Sequence, residues 1–207
     1  MSKKVLITGG NKGIGLAISR AMLEFGYEII IVARDFDTCP LVGVANVTCI
    51  EYDLSNVDGL CELAKEVGDV DILINNAGYM QPKYTYDNYP KEARDHIMNV
   101  DLYTPIELMN IFSVSMKKKG YGRIVNTASI AGQIGHPDVW YGIAKAGLIN
   151  ATKIYGKMLG AHGITVNCVA PSPTETDMQK DNSEERKKEF KKTVATGRFA
   201  QAEEVAK

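Results

Sequence analysis

Glu28-Ile-Ile-Ile-Val-Ala33 is the run that most restricts the fold. After its first residue it is wholly apolar and mostly β-branched. A strand wetted on one face alternates apolar and polar residues, whereas one covered on both faces need not. This run therefore reads as a strand inside a parallel sheet with helices on both sides. Comparable short runs recur at Lys4–Thr8, Val47–Tyr52, Val70–Asn75, Arg123–Thr127 and Ile164–Val169. Between them lie helical patterns at Ile14–Phe25, from about Lys91 to Lys118, and at Tyr141–Leu159. The alternation predicts an α/β fold, a doubly wound parallel sheet with right-handed crossovers. Pro40 and Gly43 interrupt the short connection from Arg34 to Asn46, so one short turn of helix or none is expected there.

The 207 residues fit one large domain or two small ones, and the single repeating pattern favours one domain over 1–207. An apolar content of 45% is ample for a buried sheet. A net charge of −1 gives no electrostatic reason to expect nucleic acid or an anionic membrane as partner. Lys187, Lys188, Lys191 and Lys192 alternate with Glu184, Glu185 and Glu189, the pattern of a solvated helix face. Cys39, Cys49, Cys61 and Cys168 show no metal-ligand spacing, and His96, His136 and His162 are scattered; no metal is expected. With no signal peptide and no apolar run long enough for a bilayer, the expected compartment is the cytoplasm.

Two segments carry chemistry. Thr8-Gly9-Gly10-Asn11-Lys12-Gly13-Ile14-Gly15 follows a strand and opens a helix. Glycines allow a tight turn and close backbone approach, and the free N–H groups of a helix N-terminus suit a pyrophosphate. The second is Tyr141 and Lys145, four apart and so on one helix face, twelve residues after Ser129. An ammonium beside a phenol favours the phenolate, and a neighbouring hydroxyl can polarise a carbonyl held against it. Such groups suit proton transfer, although Tyr and Lys at this spacing also occur on plain solvated helices.

TGGNKGIG, then NNAG at Asn75–Gly78, then Ser129, then YxxxK, in that order, resembles the short-chain dehydrogenase/reductase family across nearly the whole chain. The stretch TGGNKGIGLAI with VARD is especially similar to NADPH-dependent carbonyl reductases. The resemblance implies a Rossmann-like sheet and a catalytic tetrad of Asn99, Ser129, Tyr141 and Lys145. Tyr141 would protonate the carbonyl oxygen, Ser129 would hydrogen-bond it, and Lys145 would bind the nicotinamide ribose. Asn99 would anchor a proton-relaying water. The glycine loop, with Gly9, Asn11, Lys12, Gly13, Ile14 and Gly15, would cradle the cofactor phosphates. Asp53 and Leu54 would meet the adenine, with capping of a following helix as the competing role for Asp53. Asn76, Ala77 and Gly78 would touch the adenosine ribose, and Pro171 and Thr176 the nicotinamide amide. Ser172 stands where the family has glycine, which would loosen that pocket if the backbone needs a glycine-only angle.

An NAD-preferring site places a carboxylate at the end of the second strand, and here that position is Ala33. Arg34 and Lys12 suit a 2′-phosphate instead, so the expected cofactor is NADPH/NADP+, with NAD less favoured; Asp35 is the opposing feature. The expected function is hydride transfer between NADPH and a ketone or aldehyde substrate. The alternatives are an NAD-dependent alcohol dehydrogenase or a catalytically silent NADP-binding regulator. About 177–195 would form a substrate lid. The resemblance also implies a homodimer or homotetramer, and a last strand beyond Lys207 that this sequence lacks.

Overall fold

The apolar runs form one sheet. In the computed structural model, which describes residues 2–81, 84–176 and 183–207, six parallel strands pair in the order β3-β2-β1-β4-β5-β6. They are β1 Lys4–Thr8, β2 Glu28–Ala33, β3 Val47–Glu51, β4 Ile72–Asn75, β5 Gly122–Thr127 and β6 Ile164–Val169. The helices are α1 Gly13–Glu24, α2 Leu60–Val67, α3 Lys91–Met98, α4 Thr104–Lys119, α5 Ala131–Ile134, α6 Val139–Leu159, α7 Glu184–Thr193 and α8 Ala202–Ala206. Strand β1 sits between β2 and β4, so the winding reverses beside it. In an open α/β sheet that reversal leaves a crevice outside the strands' carboxyl ends, where ligands bind.

Both faces of the sheet are covered, as the composition of β2 requires. One face packs Leu6, Val32, Leu73 and Ile124 against Leu108, Phe112 and Met116 of α4. The other packs Val5, Ile7, Ile29 and Ile31 against Ile18 of α1, with Cys39 and Leu41 from the 34–46 connection. That connection has no helix; two buried side chains cover the sheet there instead.

Besides one-residue shifts at the ends of elements, the structure differs from the sequence pattern as follows. Strand β4 begins at Ile72 and not Val70, because the Asp71 carboxylate takes the Lys4 N–H (3.0 Å) that a longer ladder would use. Helix α6 starts at Val139, two residues before Tyr141, because Asp138 caps it by accepting from the Tyr141 N–H (3.2 Å). The short helices α2 and α5 went unpredicted. Lastly, the helix expected from Lys91 to Lys118 is broken by a π-helical turn over Asn99–Tyr103. Pro105 has no N–H to give the Asp101 carbonyl four residues back, so the α-helical ladder cannot run through this point.

Candidate active site

The crevice beside β1 is a cleft of 630 Å³ reaching from the glycine loop to α7. Its floor is built by strand-end polar groups. The Thr8 hydroxyl accepts from the N–H groups of Asn76 (3.0 Å) and Ala77 (3.1 Å), tying the end of β1 to the turn after β4. The Asn76 carboxamide donates back to the carbonyls of Thr8 (3.1 Å) and Gly9 (3.2 Å). These bonds hold the Asn75–Gly78 segment against the glycine loop. Deeper down, the Asn75 amide donates to Asn126 Oδ1 (2.8 Å) and the Asn126 amide to the Thr152 hydroxyl (2.9 Å), linking β4, β5 and α6 inside the core.

The glycine loop fits a dinucleotide. Gly9 and Gly13 have φ of 65° and 55°, the left-handed region open to glycine. At Gly15 a Cβ would stand 2.0 Å from the Gly9 carbonyl oxygen, so only a bare backbone fits. Lys12, at the N-cap of α1, makes no side-chain cap, which leaves the first-turn N–H groups for an anion. Arg34 and Asp35 are exposed at the cleft edge, and the Asn11 amide fixes their turn by donating to the Asp35 carbonyl (2.9 Å). Thr176 closes over the loop from the far side, its Cγ2 3.3 Å from where a Gly13 Cβ would be. Ser172 does not adopt a positive φ, so its backbone needs no glycine.

Ser129, Tyr141 and Lys145 are all buried in the wall of the same cleft. Ser129 lies between β5 and α5, where its hydroxyl accepts from the Ala131 N–H (3.1 Å). Gly132 brings this loop against α6: a Cβ there would come within 2.6 Å of the Lys145 and Ala146 backbone. Lys145 Nζ is 5.6 Å from the Tyr141 ring centre and donates to the Thr127 carbonyl (3.0 Å). His136 packs edge-on against Tyr141, with ring centres 5.4 Å apart.

Every expected cofactor residue lines this cleft, Asp53 and Leu54 included. Asp53 also accepts from the Ser55 N–H (2.9 Å), a local turn outside any α-helix, since the next element is a 3-10 turn, Val57–Gly59. Asn99 is the exception and requires a correction. Its amide donates to the Ser55 carbonyl (3.0 Å), and Asn99 is not part of the cleft wall. The residue beside Lys145 is Asp101, with Oδ1 2.9 Å from Nζ. Residues 177–182 of the expected lid lie outside the described residues, and α7 makes up most of its remaining length.

Asp138 is a second residue the sequence did not single out. Buried at the start of α6, it accepts from the Gln81 N–H (2.9 Å) and the Tyr89 hydroxyl (3.0 Å) as well as from Tyr141. Burial and the Asp138 charge hold the Tyr89 phenol well above its ordinary pKa, so this bond keeps its proton. Aspartate three residues before a helical Tyr is a capping signal visible in the sequence.

A family model for short chain dehydrogenases matches residues 3–187. The chain belongs to that family. It is 34% identical to the 3-oxoacyl-(acyl-carrier-protein) reductase FabG of Haemophilus influenzae, over 99% of this chain and 88% of the relative. It is 32% identical to the acetoacetyl-CoA reductase of Rhizobium meliloti, over 100% of this chain and 89% of that one. Among solved structures, 4-hydroxyisoleucine dehydrogenase complexed with NADH superposes with a TM-score of 0.93 at 22% identity, over 99% of this chain and 88% of the other, a likeness of fold. This short-chain dehydrogenase/reductase is an NAD(P)-dependent oxidoreductase, and the relatives at 34% and 32% identity are both reductases.

Proposed function

We propose that the protein reduces a ketone with NADPH, with 3-oxoacyl thioesters as the first substrates to try. The observation that carries this is the meeting of Tyr141, Lys145 and Ser129 in one cleft with a loop shaped for a dinucleotide. The nicotinamide, when bound, supplies the hydride. Tyr141 gives its proton to the carbonyl oxygen, and Ser129 donates a hydrogen bond to that oxygen as negative charge gathers on it. Lys145 stays an ammonium and binds ribose hydroxyls.

The preference for NADPH rests on Arg34 and Lys12 at the cleft edge and on Ala33 in place of a carboxylate. A guanidinium grips a 2′-phosphate through paired charge-assisted hydrogen bonds, worth roughly ten- to a hundredfold in kcat/KM. NAD is the second choice because Asp35 is exposed beside Arg34. Steady-state kinetics with acetoacetyl-CoA should favour NADPH, and Arg34→Ala should remove most of that preference. Equal use of NADPH and NADH by the wild type would reject it.

The same proposal places the protein in the cytoplasm as a homodimer or homotetramer. In support of assembly, Ile143, Ile154 and Met158 form an exposed apolar line along α6, with Val114 exposed on neighbouring α4.

A further inference from the structure

Asp101 and Lys145 form an ion pair almost wholly withdrawn from water, their side chains 0% and 3% exposed. A lone charge there would be costly, so the pair stands only because each partner answers the other. The surroundings are built around it. The π turn over Asn99–Tyr103 carries Asp101 inward, with the turn's flanks pinned to the β3–α2 connection by Asn99 on Ser55 and by the Thr104 hydroxyl on the Leu54 carbonyl (2.6 Å). Asp101 Oδ2 accepts from the Tyr79 N–H (2.9 Å). Its Oδ1 meets the ammonium at 2.9 Å. Gly78 makes the room, since a Cβ there would stand 3.1 Å from Oδ1 and 3.4 Å from Nζ.

We propose that Asp101 is the fixed counter-ion of Lys145, a positioning residue that holds the ammonium between Thr127 and Tyr141, keeps it charged and thereby sets the pH range of proton transfer. Burial by itself would lower the Lys145 pKa, and the facing carboxylate together with Tyr141 more than offsets it, so the net direction is upward. For Asp101, burial pushes the carboxyl up, against the opposing pull of Lys145 and the Tyr79 N–H. The other titratable groups around the pair are Tyr141 on α6, Asp138 at its N-cap, Tyr79 after β4, His96 of α3 against the Tyr79 ring, and His136 against Tyr141.

Only one element of the proposed function enters here, that Tyr141 moves the proton. The test compares pH profiles of kcat/KM for acetoacetyl-CoA in the wild type and in Asp101→Asn, with NADPH binding tracked by fluorescence. Without the carboxylate the buried Lys145 loses a charge that raises its pKa, so it gives up its proton earlier and the midpoint should move toward acid by about one pH unit. A lower rate with the midpoint unmoved, or moved toward alkali, overturns the proposal. Urea unfolding of Asp101→Asn, Lys145→Gln and the double variant gives a second readout that needs no turnover. The double variant should be more stable than Asp101→Asn, because it leaves no unanswered charge. If Asp101→Asn does not fold, or the wild type turns over no carbonyl, this comparison decides, and a double variant no more stable than Asp101→Asn overturns the counter-ion. Wild-type inactivity rejects the proposed function, whichever way the unfolding comparison falls.

Discussion

Tyr141 is held from two directions: Asp138 grips its backbone N–H, and Lys145 sits one helical turn further along the same face. Replacing it with phenylalanine removes one oxygen and leaves cap, ring packing and cleft in place. Tyr141→Phe should therefore lose roughly 10²–10⁴-fold in kcat while still binding NADPH, as shown by kinetics beside a fluorescence titration. At this scale the chain order exposed Tyr141, Lys145 and Ser129, because a phenol and an amine at helical spacing are chemically distinctive wherever they occur. Asn99 and Asp101 part for a geometric reason: residues two apart on a helix face nearly opposite sides, so only Asp101 reaches Lys145. Pro105 was the available signal: it marks where the α-helical ladder is interrupted and the π turn forms.

Among the elements, α8 shows how a short helix is kept in place. It packs on α1 behind the glycine loop, with Ala206 against the Ile-rich face of the sheet. A five-residue helix does not hold itself together in water. Here the Glu204 carboxylate receives both Arg198 guanidinium nitrogens (2.7 and 2.6 Å) and the Gln201 N–H (2.8 Å). The paired Arg198 bonds and then the Gln201 N–H lower the Glu204 pKa to about 2. A carboxyl depressed in the folded state stabilises above its unfolded value, ~4.3, and that support is lost as pH falls through the folded one. Amide exchange in Ala202–Ala206 should thus accelerate as pH drops from about 4 to about 2 relative to exchange in β1, and Glu204→Gln should lack that step. The strands were legible because β-branched apolar runs admit few other structures. The helices α2 and α5 were not, being four to eight residues long and shaped by what they pack against.

At the scale of the whole molecule, Ile143, Ile154 and Met158 leave an exposed apolar line along α6. Met158, 62% exposed, and Ile154, 50% exposed, lie one turn apart on it. If this face meets a second copy, Ile154→Asp should shift sedimentation toward the monomer, with stability otherwise within about 0.5 kcal/mol as for other surface changes. A wild type that sediments as a monomer at every concentration would end the idea.

By itself, the sequence determined the layering and singled out the glycine loop, Ser129, Tyr141 and Lys145 that meet in the cleft. Apolar runs covered on both faces need helices above and below, and a glycine turn between strand and helix has the backbone a phosphate loop requires. The tertiary structure decided which buried charge faces Lys145, how Asp138 anchors α6, and that Asn76 clamps strand ends as well as lining the cleft. Those depend on contacts between residues tens of positions apart, and on one π turn that re-aims a side chain. Local patterns carry no information about such meetings until the sheet has brought the strand ends together.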